Sequence, residues 1–127
     1  MPILEKKLAV QNGAVFVSDP THRDVTLPPV EKPVTASSSC ICIATKHEVD
    51  GDTTIRLASR FDQPSGSMIF DGNLETPGQR VEISGVGLES LLEMAVPDRT
   101  TRITVWTNHP DWPDLILVQA QAPLVAL

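Results

Sequence analysis

The residues best suited to chemistry lie together at 107–114, Thr-Asn-His-Pro-Asp-Trp-Pro-Asp. This segment gathers Asn108, His109, Asp111, Trp112 and Asp114 on one strand-to-strand loop. A histidine beside two carboxylates can bind a metal ion or act as a general base. Pro110 and Pro113 stiffen the same loop, and aspartates beside prolines are ordinary turn residues. An exposed tryptophan on a rigid loop is a frequent anchor in protein interfaces. The five residues are therefore read as a partner-binding tip, with a catalytic or metal-binding role for the His109 loop as the alternative.

Other constellations carry less. Asp19, His22, Arg23 and Asp24 mix acid, base and imidazole, yet no nucleophile or strand-turn-helix context accompanies them, and they read as solvated loop charges. Cys40 and Cys42 with His47 hint at zinc. A structural zinc site needs a full tetrahedral ligand set with paired cysteines further apart in sequence; here only Ile41 intervenes and no second pair exists. In a strand both thiols lie on one face, an awkward geometry for a mutual disulfide. They read as small buried thiols of a reduced, cytoplasmic protein. Ser84, in Ile-Ser-Gly-Val-Gly, lacks the glycine spacing of a nucleophile elbow. Gly85-Val86-Gly87 lacks the lysine and helix of a phosphate loop, and Asp71-Gly72-Asn73 lacks the acidic run of a calcium loop. No enzyme motif remains, so no catalytic residue, metal or cofactor is assigned.

The elements that would position these residues read as strands. Asn12-Gly13 is the preferred dipeptide of a type I′ hairpin, whose central residues need positive φ. Asp50-Gly51 plays a similar part in a longer loop, and Pro97-Asp98-Arg99-Thr100 reads as a type I turn. Each is expected to join strands that pair across it, so that 91–119 forms three consecutive antiparallel strands. Alternation turns Val81 and Ile83 inward, with Arg80, Glu82 and Ser84 outward. The stretches 40–44 and 115–118 are apolar on both faces, as suits central strands covered on two sides or an edge covered by a loop. The region 86–95 fits a helical stripe and a strand equally well. Prolines at 20, 28, 29 and 33 make 19–37 a long loop and exclude a central strand there. Together these features predict a single-domain, all-β antiparallel sandwich over 1–127, of about eight to nine strands and at most one short helical turn.

Composition narrows the function. A chain of 127 residues can bury a proper core without staples. Net charge of -6 disfavours phosphate backbones and would steer a basic protein partner. Aromatic residues make up only 4% and tyrosine is absent, so stacking platforms for sugars or single strands are scarce. No stretch is long and apolar enough for a helical membrane span, and the first residues lack the apolar core of a secretory signal.

Several segments also have a family cadence: Val-Phe-Val-Ser-Asp at 15–19, the 50–59 run DGDTTIRLAS, SMIFDG at 67–72, GQRVEISGVGLESLLEMAVPD at 78–98 and TRITVWTNHPD at 101–111. Their order over nearly the whole chain resembles the small bacterial β-sandwich proteins of the competence protein J type. It is similar also to immunity proteins of bacterial toxin systems. The resemblance implies a protein that binds and inhibits a partner, a nuclease in the competence case, and it carries no catalytic motif whose residues would transfer. The expectation is thus a non-catalytic protein-binding module, an acidic inhibitor or immunity-type protein with a basic partner. The rivals are a ligand- or metal-binding sandwich using the His109 loop, and a homo-oligomeric structural protein that pairs its 115–118 strand with a second copy.

Overall fold

Ten strands stack as two sheets in a computed structural model that describes residues 3–22 and 32–122. One sheet runs β1 (Leu4–Leu8), β5 (Thr53–Ala58), β10 (Leu115–Gln121), β9 (Thr100–Thr107), β6 (Ser67–Glu75). The other runs β3 (Val34–Ala36), β4 (Cys40–Ala44), β2 (Ala14–Ser18), β7 (Arg80–Ser84), β8 (Ser90–Ala95). The all-β reading holds, and the tenth strand is β3, inside the stretch expected to be loop. Its position at a sheet edge agrees with the prolines around it. The region 86–95 resolves into β8, entered through a turn in which Leu88 has φ 63°. Among the described residues the helical content is two 3-10 turns, Gln11–Gly13 and Glu48–Asp50.

Period-two alternation builds the core. Val15, Ile41 and Ile83 of one sheet and Leu57, Val105 and Val118 of the other are fully buried between the sheets. Each such side chain contributes roughly 1.5–3 kcal/mol on burial, so this layer decides the register. The stretches that are apolar on both faces are central, as β4 lies between β3 and β2 and β10 between β5 and β9. Ala14, Phe16, Cys40 and Cys42 form a second small cluster on the other face of their sheet. Glu82 and Ser84, expected to face outward, lie on that same face and are nonetheless buried.

The turn residues behave as expected, but their strands do not pair. Asn12 and Gly13 have φ 59° and 62°, yet β1 pairs with β5 while β2 pairs with β4 and β7. The turn at Asp50-Gly51 joins β4 to β5, and the one at 97–99 joins β8 to β9, again between sheets. All three expected hairpins are therefore arches. The physical reason is distance: paired strands lie about 4.8 Å apart and stacked sheets about 10 Å, and a turn residue fixes φ without fixing which gap is bridged. Only β9 and β10, within the 91–119 stretch, form the expected antiparallel pair. One further departure is that β10 pairs with β5 in parallel, whereas the other ladders are antiparallel.

Candidate functional site

The β9–β10 ladder aims the 108–114 loop off one end of the sandwich. It is pinned from both sides. The Asn108 side chain closes its neck: Oδ1 accepts from the backbone N–H groups of Asp114 (3.1 Å) and Leu115 (3.2 Å), and Nδ2 donates to Asp114 Oδ1 at 2.6 Å. His109 Nδ1 accepts from the backbone N–H groups of Asp111 (3.0 Å) and Trp112 (2.9 Å), which shapes the tip. Outside the loop, the Lys46 amide donates to the Pro113 carbonyl and the Thr54 amide to the Asp114 carbonyl, both at 2.8 Å. Trp112 is left 55% exposed. Its ring lies 5.7 Å from that of His109, and the Lys32 ammonium sits 4.6 Å above its centroid.

All five residues singled out from the sequence thus meet on this tip, in roles fixed by hydrogen bonding. The Asn108 amide, aided by the Lys46 charge 3.7 Å away, holds the Asp114 carboxyl below the usual carboxylate range. The His109 lone pair at Nδ1 is already shared by two amides, which leaves the ring proton on Nε2. A group so occupied is a scaffold, neither a general base nor a ready metal ligand at that nitrogen. Among the described residues no cluster of three or more His, Cys, Asp or Glu side chains converges to hold a metal ion.

The remaining sequence candidates also take structural roles. Asp19 is fully buried, contrary to its reading as a solvated charge. Its Oδ1 accepts from the Thr21 amide and hydroxyl, each at 2.8 Å, and its Oδ2 from the Gly78 amide at 2.6 Å, tying the exit of β2 to the β6–β7 turn. His22 is exposed, with Nε2 3.6 Å from Glu75; Arg23 and Asp24 lie outside the described residues. Cys40 and Cys42 are buried and not disulfide-bonded, and burial pushes the Cys42 thiol up to about 11.

In the sequence 46–52 reads as a turn, with His47 a weak zinc candidate beside Cys40 and Cys42, but the structure places it beside the Trp112 loop through Lys46. This arch presents Val49 at its apex, 80% exposed, between exposed Glu48 and Asp50. A lone apolar residue between two acids is visible in the sequence, but its neighbourhood with 108–114 is not. A shallow polar depression of about 480 Å³ at this end is lined by Lys7, Asp52, Arg56, Asn108 and Asp114. A cleft of about 290 Å³ lies between the loop and the start of β6, lined by Pro33, Gly66, Ile69, His109 and Pro110. Gly66, at φ +87°, borders it and packs so tightly that a Cβ would collide with the Thr107 carbonyl. At the opposite end a shallow, mainly apolar depression of about 660 Å³ is lined by Met94, Val96, Pro97, Arg102 and Ala120.

No protein-family model matches the sequence, and no curated protein matches it. The solved structures include a match: ComJ from Bacillus subtilis, described as an inhibitor of the DNA-degrading activity of NucA. This chain shares its fold. The TM-score is 0.68 over 94% of this chain and 96% of ComJ, with 12% sequence identity. At that coverage the likeness to ComJ extends over both sheets.

Proposed function

We propose that this protein is a non-catalytic binding protein that inhibits a cationic enzyme, a nuclease before others, by docking the 108–114 loop onto it. One observation carries the reading: Trp112 is exposed on a backbone that Asn108 and His109 hold in one shape. A preorganised aromatic anchor loses little entropy on binding and is the usual energetic centre of an interface. The fold shared with a nuclease inhibitor supports the nuclease, and the net charge of -6 supports a basic surface on it. The reading also places the protein in the cytoplasm, in keeping with its two unbonded thiols.

The test is a DNA-digestion assay on extract of the native host, fractionated by cation exchange, with and without the purified protein. The expected result is stoichiometric loss of nuclease activity in a cationic fraction, relieved by added salt. Trp112→Ala should weaken that inhibition by at least ~30-fold, the ~2 kcal/mol of an interface anchor. Undiminished digestion in every cationic fraction overturns the nuclease-inhibitor reading.

A further inference from the structure

Two exposed apolar side chains at the loop end share a device. The Val49 amide is held by His47 Nδ1 at 3.3 Å, and the Trp112 amide by His109 Nδ1 at 2.9 Å. Two loops of unrelated sequence, one from the β4–β5 arch and one from the β9–β10 connection, each present an apolar tip on a backbone clamped by a neutral imidazole. Around these tips Glu48, Asp50, Asp52 and Asp111 are exposed and form no ion pair among the described residues. Lys46 is engaged by Asp114 and Lys32 by the Trp112 ring.

We infer that the 46–52 arch and the 108–114 loop are two arms of one docking surface for a cationic, apolar-pocketed protein, shaped only while His47 and His109 are neutral. The inference rests on the binding role proposed above and extends it to a second anchor, Val49, and to control by protons. An imidazolium carries a proton at Nδ1 and cannot accept. Protonation therefore releases the Val49, Asp111 and Trp112 amides and adds positive charge to a surface that selects positive partners. Both effects act in one direction: the shaped surface is present on the alkaline side and is lost as pH falls. The charges around His109 are Asp111 and Asp114 of its own loop, Lys46 of the arch, and Lys32; the start of β6 brings none. Around His47 they are Lys46, Glu48, Asp50 and Asp52 of its own arch, with Asp114 beyond Lys46, and Lys7 of β1 and Arg56 of β5 share a depression with Asp52 and Asp114, while the Gln11–Gly13 turn brings none.

The experiment uses the full chain labelled with nitrogen-15, and a peptide of alternating lysine and leucine as the cationic apolar probe. The Val49, Asp111 and Trp112 amides and the two imidazoles are followed by NMR from about pH 8 to about pH 5, the interval in which imidazoles change charge. The amides are expected to shift in step with their imidazoles and, at the acid end, to lose several-fold of their protection against exchange relative to the intrinsic rate at each pH. In the pair His47→Asn with His109→Asn, where Oδ1 stands where Nδ1 stood without titrating, the shift should vanish and the alkaline geometry persist. The probe should perturb both arms together at the alkaline end, leave Ala95 and Gln121 unmoved, and bind at least ~10-fold more weakly at the acid end of the wild type only. Amides that stay put while the imidazoles titrate overturn the clamp, and a probe that touches one arm or neither overturns the shared surface. Neither result depends on a nuclease, so failure of the digestion assay is distinguishable from failure here.

Discussion

Asp71 and Arg102 illustrate how single residues here spend their charge on the scaffold. The guanidinium holds the carboxylate in a two-pronged contact, Nε to Oδ1 at 2.8 Å and Nη2 to Oδ2 at 2.7 Å, with the Thr104 hydroxyl adding a bond at 3.3 Å. That hydrogen bonding keeps the Asp71 carboxyl below the usual range, as the Asn108 amide does for Asp114. A depressed folded-state value means that the contribution is complete above the unfolded value of about 3.9 and is lost as pH falls through the folded one. Denaturant midpoints should therefore drop below about pH 4, and Asp71→Asn should flatten part of that slope. Its cost near neutrality should stay below about 1 kcal/mol, because the pair is partly solvated. An unchanged slope in the variant would show that the pair contributes nothing. None of this was legible in the sequence, because residues thirty-one apart meet only through the β6–β9 register. The five residues of 108–114 were legible because a short loop brings its own members together. What the sequence could not show was that His109 is held as an acceptor, which turns a would-be catalytic imidazole into a clamp.

Among the elements, the turns best separate what local chemistry dictates from what packing decides. Asn12 and Gly13 adopt the positive φ their identities invite, yet the strands they join belong to different sheets because Val10 and Val15 are both drawn into the core. Inward faces follow from alternation where it is clear, as at Val81 and Ile83, although β3 and β8 are not fixed by it; partner choice does not follow, since any inward face can satisfy either sheet. The 59–66 connection makes the same point. It must pass over β10 and β9 to link β5 with β6, and it does so across the outer face, where the Phe61 amide donates to Gln119 Oε1 at 2.9 Å and its ring meets Trp106 edge-on at 6.2 Å. Gly66 ends that passage at φ +87° against the Thr107 carbonyl. Gly66→Ala should cost about 1–3 kcal/mol of stability through the strained backbone, read as a lower thermal midpoint. It should also disturb the neighbouring Trp112 loop, read as altered fluorescence. A variant as stable as the parent would mean the connection can shift aside without cost.

At the scale of the whole molecule, the sandwich guards its outer strands. Mid-strand β1 carries Glu5, Lys6 and Lys7, β3 has three residues, β6 is bulged between Met68 and Phe70, and the β7–β8 ladder shifts between Ile83 and Ser84. Short, charged or bulged edges resist pairing with further chains. The pairing of 115–118 with a second copy is ruled out, as both flanks of β10 are taken by β5 and β9. Light scattering should accordingly give a monomer mass, and a stable dimer would require a surface other than these strands. Strand edges are thus closed to partners, and the exposed tryptophan sits on a loop instead. The placement of β10 has a further consequence for how the protein is made. Among the described residues it is the last strand, yet it occupies the middle of its sheet, with a parallel neighbour on one side and an antiparallel one on the other. In the folded sheet β10 fills the lane between β5 and β9, so this sheet is completed by contacts distant in sequence. The full sheet is expected to form only after β10 is made, and the same strand supplies the backbone that Asn108 grips to close the 108–114 loop. A chain that has not yet added β10 therefore lacks both the centre of its sheet and a fixed 108–114 loop.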